Sequence, residues 1–296
     1  MTLAVSVVVP TRDRPGPLAR CLASLARQTL GRDRFEVIVV DDGGSPDLAP
    51  ILAGVAGQIE LVHLRQDHAG PAEARNRGTR HAGARHVAFT DDNCVPARDW
   101  LEQLLAEVET DGGAPVMVGG RIDNALTANV FSAATQLVLD LVYDHFNAGG
   151  RRPYFFASMN LAVPKRPLLE IGGFDASFLT AEDRELCDRW RASGHGLVYA
   201  PAARVHHAHD LDLGSFWQQH VGYGRGAAHY HRARAARASG TLLAESGFHA
   251  ALPRLLRRHL RGVGWKRGVR LLSALLVWQI ANTAGYFAGP VRTARG

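Results

Sequence analysis

The chain has 296 residues, 46% of them hydrophobic and 21% charged, which is enough to bury a core in one large or two modest domains and excludes a disordered chain. Its formal net charge is +6, yet the basic residues gather in the last third and match no nucleic-acid motif, so nucleic acid is not an expected partner. Three distant cysteines, Cys21, Cys94 and Cys187, lack metal-ligand spacing and read as free thiols of a reducing compartment.

The amino terminus enters a strand at once, without a secretory signal, which predicts a cytoplasmic protein. Leu3 to Val9 is a β-branched apolar run broken by Pro10-Thr11-Arg12-Asp13-Arg14-Pro15, so a strand feeds a polar loop. From Pro17 the apolar positions Leu18, Cys21, Leu22 and Leu25 follow helical spacing and predict an amphipathic helix ending near Gly31. A second buried strand, Phe35 to Val40, closes on Asp41-Asp42-Gly43-Gly44-Ser45, and a helix from about Asp47 to Val55 leads to a third strand, Ile59 to Leu64. Gly70 to Gly78 opens a helix that carries Arg75 and Arg77, and residues 86 to 90 form a fourth strand. Repeated strand–helix alternation with short connections implies βαβ units and a largely parallel sheet. No Gly-x-Gly-x-x-Gly follows the first strand, which disfavours a dinucleotide-binding domain.

The fourth strand runs straight into Thr90-Asp91-Asp92-Asn93-Cys94-Val95-Pro96, two carboxylates and an amide, with Pro96 blocking its continuation. Oxygen-rich side chains at the carboxyl end of a parallel strand suit a hard divalent cation or sugar hydroxyls. They also suit an ordinary acidic turn, and at that level both readings stand. Three polar loops, after the first, second and fourth strands, converge on one crevice, where carboxylates can accept from base and ribose groups and Arg12 or Arg75 can pair with phosphate. Further on, Trp100, Leu101, Leu104, Leu105 and Val108 mark a helix, Val116 to Ile122 a strand, and Val130 to Phe146 an amphipathic segment without a motif.

The first-strand loop, the Asp41-Asp42-Gly43 turn, the Gly70 to Gly78 segment and the Asp91 turn, followed by Ser158 to Val163, Gly172-Gly173-Phe174-Asp175 and Glu182-Asp183-Arg184-Glu185-Leu186, together resemble family 2 glycosyltransferases of the GT-A fold. The resemblance spans roughly residues 3 to 210. It implies an inverting enzyme that moves a sugar from a UDP, GDP or dTDP sugar to an acceptor hydroxyl. It implies nucleotide and donor contacts from Pro10, Thr11, Arg12, Asp13, Asp42, Arg75, Asp91, Asp92 and Asn160. Asp91 matches the first acid of the family's Asp-x-Asp motif, but Asn93 replaces the second, and an amide brings no charge to a metal. A set of Asp91, Asn93 and His207 is therefore the implied site for Mn²⁺ or Mg²⁺, with His206 and His209 as other candidates; Cys94 is a poor match for so hard an ion. Asp183 is the implied general base and Glu182 the acceptor contact, although acids in a first helical turn also serve the helix dipole. The substitution at Asn93 leaves a non-catalytic nucleotide-sugar or carbohydrate binder as the alternative.

Beyond residue 212 the character changes. Phe216, Trp217, Val221 and Tyr223 interleave with His220, Arg225, His229 and His231; Leu252 to Arg261 sets arginines and His259 beside leucines; and Leu271 to Gly289 lacks charge but is flanked by Arg267, Arg270 and Arg292. With Gln279, Asn282 and Thr283 inside it, this last stretch makes a weak span and a better surface helix on an anionic inner leaflet. Packing on the catalytic domain or a homodimer interface is its other use. The expected organisation is a catalytic domain over residues 1–212, with a mainly parallel central sheet flanked by helices, and a helical, basic extension over 213–296.

Overall fold

The computed structural model describes residues 3–45, 47–108, 114–147, 153–240 and 246–289. In chain order it runs β1 (Val5–Thr11), α1 (Pro15–Leu25), β2 (Phe35–Asp42), α2 (Ala49–Ala53), β3 (Glu60–Gln66), α3 (Pro71–His81), β4 (His86–Phe89), β5 (Cys94–Pro96), α4 (Trp100–Val108) and β6 (Val116–Asn124). It continues with α5 (Val130–Phe146), a 3-10 turn at Ser158–Asn160, β7 (Leu161–Pro164), α6 (Lys165–Glu170), α7 (Glu182–Ala192), β8 (Gly196–His207), α8 (Leu213–Arg237), α9 (Ser246–His259) and α10 (Trp265–Phe287). Arg292 lies outside the described residues.

Two compact units interleave along the chain. The first comprises Met1–Asp123, Phe156–Ala176 and Arg189–Ala208, and the second Asn124–Phe155, Ser177–Asp188 and His209–Gly296. The first unit holds a sheet of order β3-β2-β1-β4-β7-β6-β8-β5. Its β3-β2-β1-β4 half is parallel, while β7 joins β4, β6 joins β7 and β5 joins β8 antiparallel, so the sheet is mixed. The parallel half follows from its sequence: before their polar carboxyl ends β1, β2 and β4 are apolar but for Ser6, Glu36 and His86, and they are buried throughout apart from Pro10, as strands covered by helices must be. β3 sits at the edge, and its pattern is accordingly polar and half-exposed.

Several boundaries differ from expectation. α1 stops at Leu25 rather than near Gly31: the Thr29 N–H turns away to the Arg98 carbonyl, and the Gln28 side chain reaches the carbonyl of Ala97. α2 is one short turn, without a buried residue to anchor a longer helix. Pro96 does not simply end β4; it terminates a separate edge strand, β5, a position where a missing N–H costs no ladder bond.

The second unit is helical. Ala134 of α5, Leu211, Phe216 of α8, and Leu271 and Ala274 of α10 form one core cluster, and Leu255 of α9 packs with Leu137 and Leu141 of α5 in another. α8 and α10 cross at close quarters, since a Cβ at Gly224 would strike the Asn282 carbonyl and one at Gly285 the Val221 carbonyl. Among the described residues no helix is long and apolar enough to cross a membrane.

Candidate functional site

Register places the polar ends of three parallel strands side by side. Thr11 of β1 pairs with Asp41 of β2, Asp42 pairs with Gln66 of β3, and Val8 pairs with Phe89, so the residues after β4 emerge next to Thr11. This is the carboxyl edge at which ligands bind in open α/β sheets. Asp13 adopts a left-handed backbone (φ 55°), which aspartate tolerates better than most residues, and its Oδ1 accepts from the Ser45 N–H at 2.8 Å. The first two loops are thereby tied together. Arg12 is exposed beside Asp13, 3.5 Å away, and Pro10 is half-buried at the end of β1.

Asp42 is buried, and its carboxylate accepts four hydrogen bonds: from Gln66 Nε2 (2.7 Å), His68 Nδ1 (2.8 Å), Ala69 N–H (2.8 Å) and Gly70 N–H (2.9 Å). Burial by itself would raise its pKa, but these donors outweigh that and hold the carboxyl below its ordinary range. Its visible role is to fold the loop between β3 and α3. Beside that loop lies an open cleft of about 580 Å³ lined by Gly43, Arg65, Gln66, Asp67, His68 and Arg77. Two guanidiniums on its wall suit an anionic ligand.

The turn after β4 divides its three polar residues among different partners. Asp91 Oδ1 accepts from Arg75 at 2.8 Å, and the buried Arg75 guanidinium also lies 5.5 Å from the Phe174 ring centroid. Asp92 turns inward to Thr11 Oγ1 (2.8 Å) and Arg14 (3.3 Å); burial raises its pKa and these partners only partly offset that. Asn93 meets the far edge of the sheet. The antiparallel pairing of Cys94 with His207 and the bond from Ala208 N–H to the Asn93 carbonyl, 2.9 Å, bring Asn93 Nδ2 to 3.1 Å from His207 Nε2.

These residues fit a divalent cation in chemistry. Asn93 Oδ1 is buried without a hydrogen-bond partner, an oxygen left to be satisfied by something else. The Asn93 amide N–H engages the lone pair of His207 Nε2, so an ion held through that nitrogen would replace this bond. Burial keeps His207 below its ordinary pKa, with Asp91 opposing and Arg14 assisting, so the neutral, ligating form is favoured. Among the described residues no three His, Cys, Asp or Glu side chains group to hold a metal, so such a site depends on the amide. Cys94 is buried and its thiol is pushed well up, which removes it as a ligand for a hard ion.

Asn160 ends the 3-10 turn before β7 in the first unit. It is fully buried, accepts from Trp100 Nε1 (2.8 Å) and donates to the carbonyls of Arg121 (2.8 Å) and Ala203 (2.9 Å), so it ties the strands together with both amide hydrogens committed. His206 is exposed, and His209 falls in the second unit.

In the second unit, Glu182 and Asp183 open α7, and Asp183 Oδ1 caps the Arg184 N–H at 2.8 Å. Ala181 just before them has φ 67°, a conformation that costs a residue with a Cβ and persists only where the surroundings impose it. The surroundings are α8. Thr180 Oγ1 donates to the Gly222 carbonyl at 2.9 Å, Phe178 stacks on His229 at 4.0 Å, and Arg184 lies 4.6 Å over the Tyr230 ring. Arg237 binds Glu185 (2.9 Å) and Asp188 (3.0 Å), and Ser239 binds Asp188 (2.6 Å). Sequence reasoning missed this platform, and it also missed Arg14, Gln66 and His68. The glycines of Gly222-Tyr223-Gly224-Arg225-Gly226 were the available signal, since each costs a helix about 1 kcal/mol and calls for a packing reason.

Comparison with known proteins agrees with this geometry. A sequence model described as Glycosyl transferase family 2 matches residues 6–155, and one described as Glycosyl transferase family group 2 matches residues 86–288. The chain is similar to the pre-mycofactocin glycosyltransferase of Mycobacterium tuberculosis, at 31% identity over 76% of this chain and 47% of that protein. It is also similar to the validoxylamine A glucosyltransferase of Streptomyces hygroscopicus, at 26% identity over 71% of this chain and 58% of that one. The chain thus spans about half the length of these relatives. Among solved structures, the mannosyltransferase PcManGT of Pyrobaculum calidifontis, in complex with GDP-Man and Mn²⁺, superposes with a TM-score of 0.66 at 18% identity, over 96% of this chain and 84% of that one. Staphylococcus aureus TarS in complex with UDP gives 0.53 at 17% identity, over 94% and 81%. The sheet and its flanking helices are those of the GT-A fold, and the chain belongs to glycosyltransferase family 2.

Proposed function

We propose that the chain transfers a sugar from a nucleoside-diphosphate sugar to an acceptor hydroxyl, with inversion. The observation that carries this reading is the gathering of Thr11, Asp13, Asp42, Arg75, Asp91, Asp92, Asn93 and His207 at one carboxyl edge. The ligands named for the related folds, GDP-Man with Mn²⁺ and UDP, support the donor class. Asp42 fixes the loop that meets the base, and Arg75, held by Asp91, supplies cationic charge toward the phosphates. A divalent ion, Mn²⁺ or Mg²⁺, would be held by Asp91, Asn93 and His207 and would supply charge to stabilise the departing diphosphate.

Asp183 acts as the general base. It takes the proton from the acceptor hydroxyl; the oxygen's lone pair forms the new bond to the anomeric carbon, and the bond to the diphosphate oxygen breaks with its electrons leaving on the nucleotide. One displacement from the opposite face inverts the anomeric centre. Glu182 orients the acceptor beside it. The enzyme works peripherally, at the inner face of a membrane. The test is Asp183→Asn: turnover should fall about 10²–10⁴-fold, while calorimetric affinities for UDP, GDP or dTDP with Mn²⁺ stay as in the parent. Retained turnover removes Asp183 as base. Absence of binding to every nucleotide removes the reading altogether.

A further inference from the structure

α10 has two apolar faces, and only one is used. Leu271, Ala274, Ala281 and Gly285 are buried within the second unit, whereas Trp265 (75% exposed), Val269 (56%), Leu272 (49%), Leu276 (62%), Ile280 (51%) and Phe287 (80%) all face outward. At about 100° per residue these six fall within an arc of about 80°, a stripe about 33 Å long. Thr283 interrupts the stripe and Gln279 borders it, and the two meet through a bond from Gln279 Nε2 to Thr283 Oγ1 at 3.2 Å. Aromatic rings stand at both ends.

The charge around the stripe has one sign. Arg254, Arg257, Arg258, Arg261, Lys266, Arg267 and Arg270 are exposed, and residues 246–289 contain no aspartate or glutamate. Arg258 is drawn to Asp144 (3.4 Å) and Arg267 to the Thr127 carbonyl (3.0 Å), which leaves Arg254, Arg257, Arg261, Lys266 and Arg270 as five exposed cations with no acidic partner among the described residues. An apolar stripe with cationic flanks complements an anionic lipid surface, and polybasic segments gain from each such charge. A two-fold dimer through the stripe with parallel helices would set cations against cations, and one with antiparallel helices would set them against the uncharged end of the partner helix, so neither supplies the anions that these residues lack.

We propose that the outward face of α10 docks on an anionic bilayer surface, lying along it, with the basic residues of α9 and the first turns of α10 engaging lipid headgroups. α10 meets α8 through Gly224 and Gly285, and α8 carries the turn before Asp183 through Gly222 and Gly226. Docking therefore sets the orientation of the Glu182–Asp183 turn relative to the lipid surface. This deepens the peripheral reading above and rests on glycosyl transfer only for its purpose.

The experiment is cosedimentation of the full chain with vesicles of phosphatidylcholine alone or mixed with phosphatidylglycerol, at low and high salt. The chain should bind the mixed vesicles, release with salt and ignore phosphatidylcholine. Leu276→Glu with Ile280→Glu should weaken binding at least tenfold, and Trp265→Ala with Phe287→Ala, at the most exposed positions, should weaken it with no change in thermal melting. Equal sedimentation of all variants, equal binding to neutral vesicles, or no binding to any vesicle overturns the proposal. So does a dimer in sedimentation velocity that Leu276→Glu with Ile280→Glu converts to monomer. Calorimetric titration of UDP and GDP on the same samples separates the readings: nucleotide binding without vesicle binding sinks the docking surface alone, and the converse sinks glycosyl transfer alone.

Discussion

Gly226→Ala is a one-methyl test of whether α8 positions the acidic turn. A Cβ at residue 226 would lie 2.6 Å from the Thr180 carbonyl oxygen and also strike Thr180 Oγ1, whereas ordinary contact begins at 3.4 Å. The backbone must open by about 0.8 Å. Only Ala181, already held at φ 67°, separates Thr180 from Glu182, so the displacement passes to the carboxylates. A misplacement near 1 Å can cost about 10²-fold in rate, about 2.7 kcal/mol in the barrier. Overpacking costs about 1–3 kcal/mol of stability, but replacing a helical glycine by alanine returns about 1 kcal/mol. Turnover should therefore fall far more than melting temperature, with nucleotide affinity unchanged. Gly222→Ala is the control on the same helix: its Cβ would sit 3.9 Å from Thr180 Cγ2, in ordinary contact, with the same gain in propensity. Steady-state kinetics with the acceptor varied, calorimetry and thermal melting are the assays. If Gly226→Ala keeps its turnover within twofold, or if both alanine variants lose it equally, α8 does not position the turn.

Asn93→Asp adds a charge where Asn93 Oδ1 lacks a partner and should tighten Mn²⁺ binding about tenfold or more in calorimetry; an unchanged titration would show that residue 93 is not a ligand. Arg237→Met removes the guanidinium that meets the buried carboxylates of Glu185 (0% exposed) and Asp188 (4%), the latter keeping Arg234 and Ser239, so urea unfolding should show a loss of about 3 kcal/mol, at the low end for a broken buried pair. A loss below about 0.5 kcal/mol would mean that the pair is screened by solvent, as surface pairs are. Asp42 has its folded pKa below the unfolded value of about 3.9, so its contribution to stability is complete above that value and disappears as pH falls through the folded one. The stability gap between the parent and Asp42→Asn should thus be largest at neutral pH and shrink in acid, and a gap independent of pH from 7 to about 3 would contradict the hydrogen-bond account.

The parallel half of the sheet was legible because strands buried on both faces are mostly apolar, and Val5 to Val9, Phe35 to Val40 and Val87 to Phe89 are apolar but for Ser6 and Glu36, which hydrogen-bond each other across the first two strands. Of the antiparallel half β6 was legible as a strand at Val116 to Ile122, but β5 and β8 were not, because β5 has only three residues and ends in proline, and β8 carries a half-exposed pattern that neither period describes. The acidic turns were legible as an edge. Their division of labour was not: Asp91 meets an arginine, Asp92 a threonine, and Asn93 a histidine 114 residues away, and only the β5–β8 register decides the last pairing.

The carboxy-terminal helices expose a deeper limit of linear reading. Interleaved aromatic, histidine and arginine residues in α8 read as an appendage, since no local pattern states what a helix faces. Within the second unit the same residues prove to be interior contacts: His229 stacks on Phe178, Tyr230 underlies Arg184, and Arg237 neutralises two buried carboxylates of α7. The first strong acid signal after the Asp91 turn, Glu182-Asp183, thus depends for its conformation on residues more than forty positions downstream. The role proposed for Asp183 requires that it be held still, and the sequence that holds it is not the sequence that contains it. Basic residues facing inward onto α7 and basic residues facing outward around α10 look alike in composition. Their ion pairs separate them: Arg234 and Arg237 meet Glu185 and Asp188 of α7, whereas Arg254, Arg257 and Arg270 stand exposed, where the proposed anionic surface would meet them.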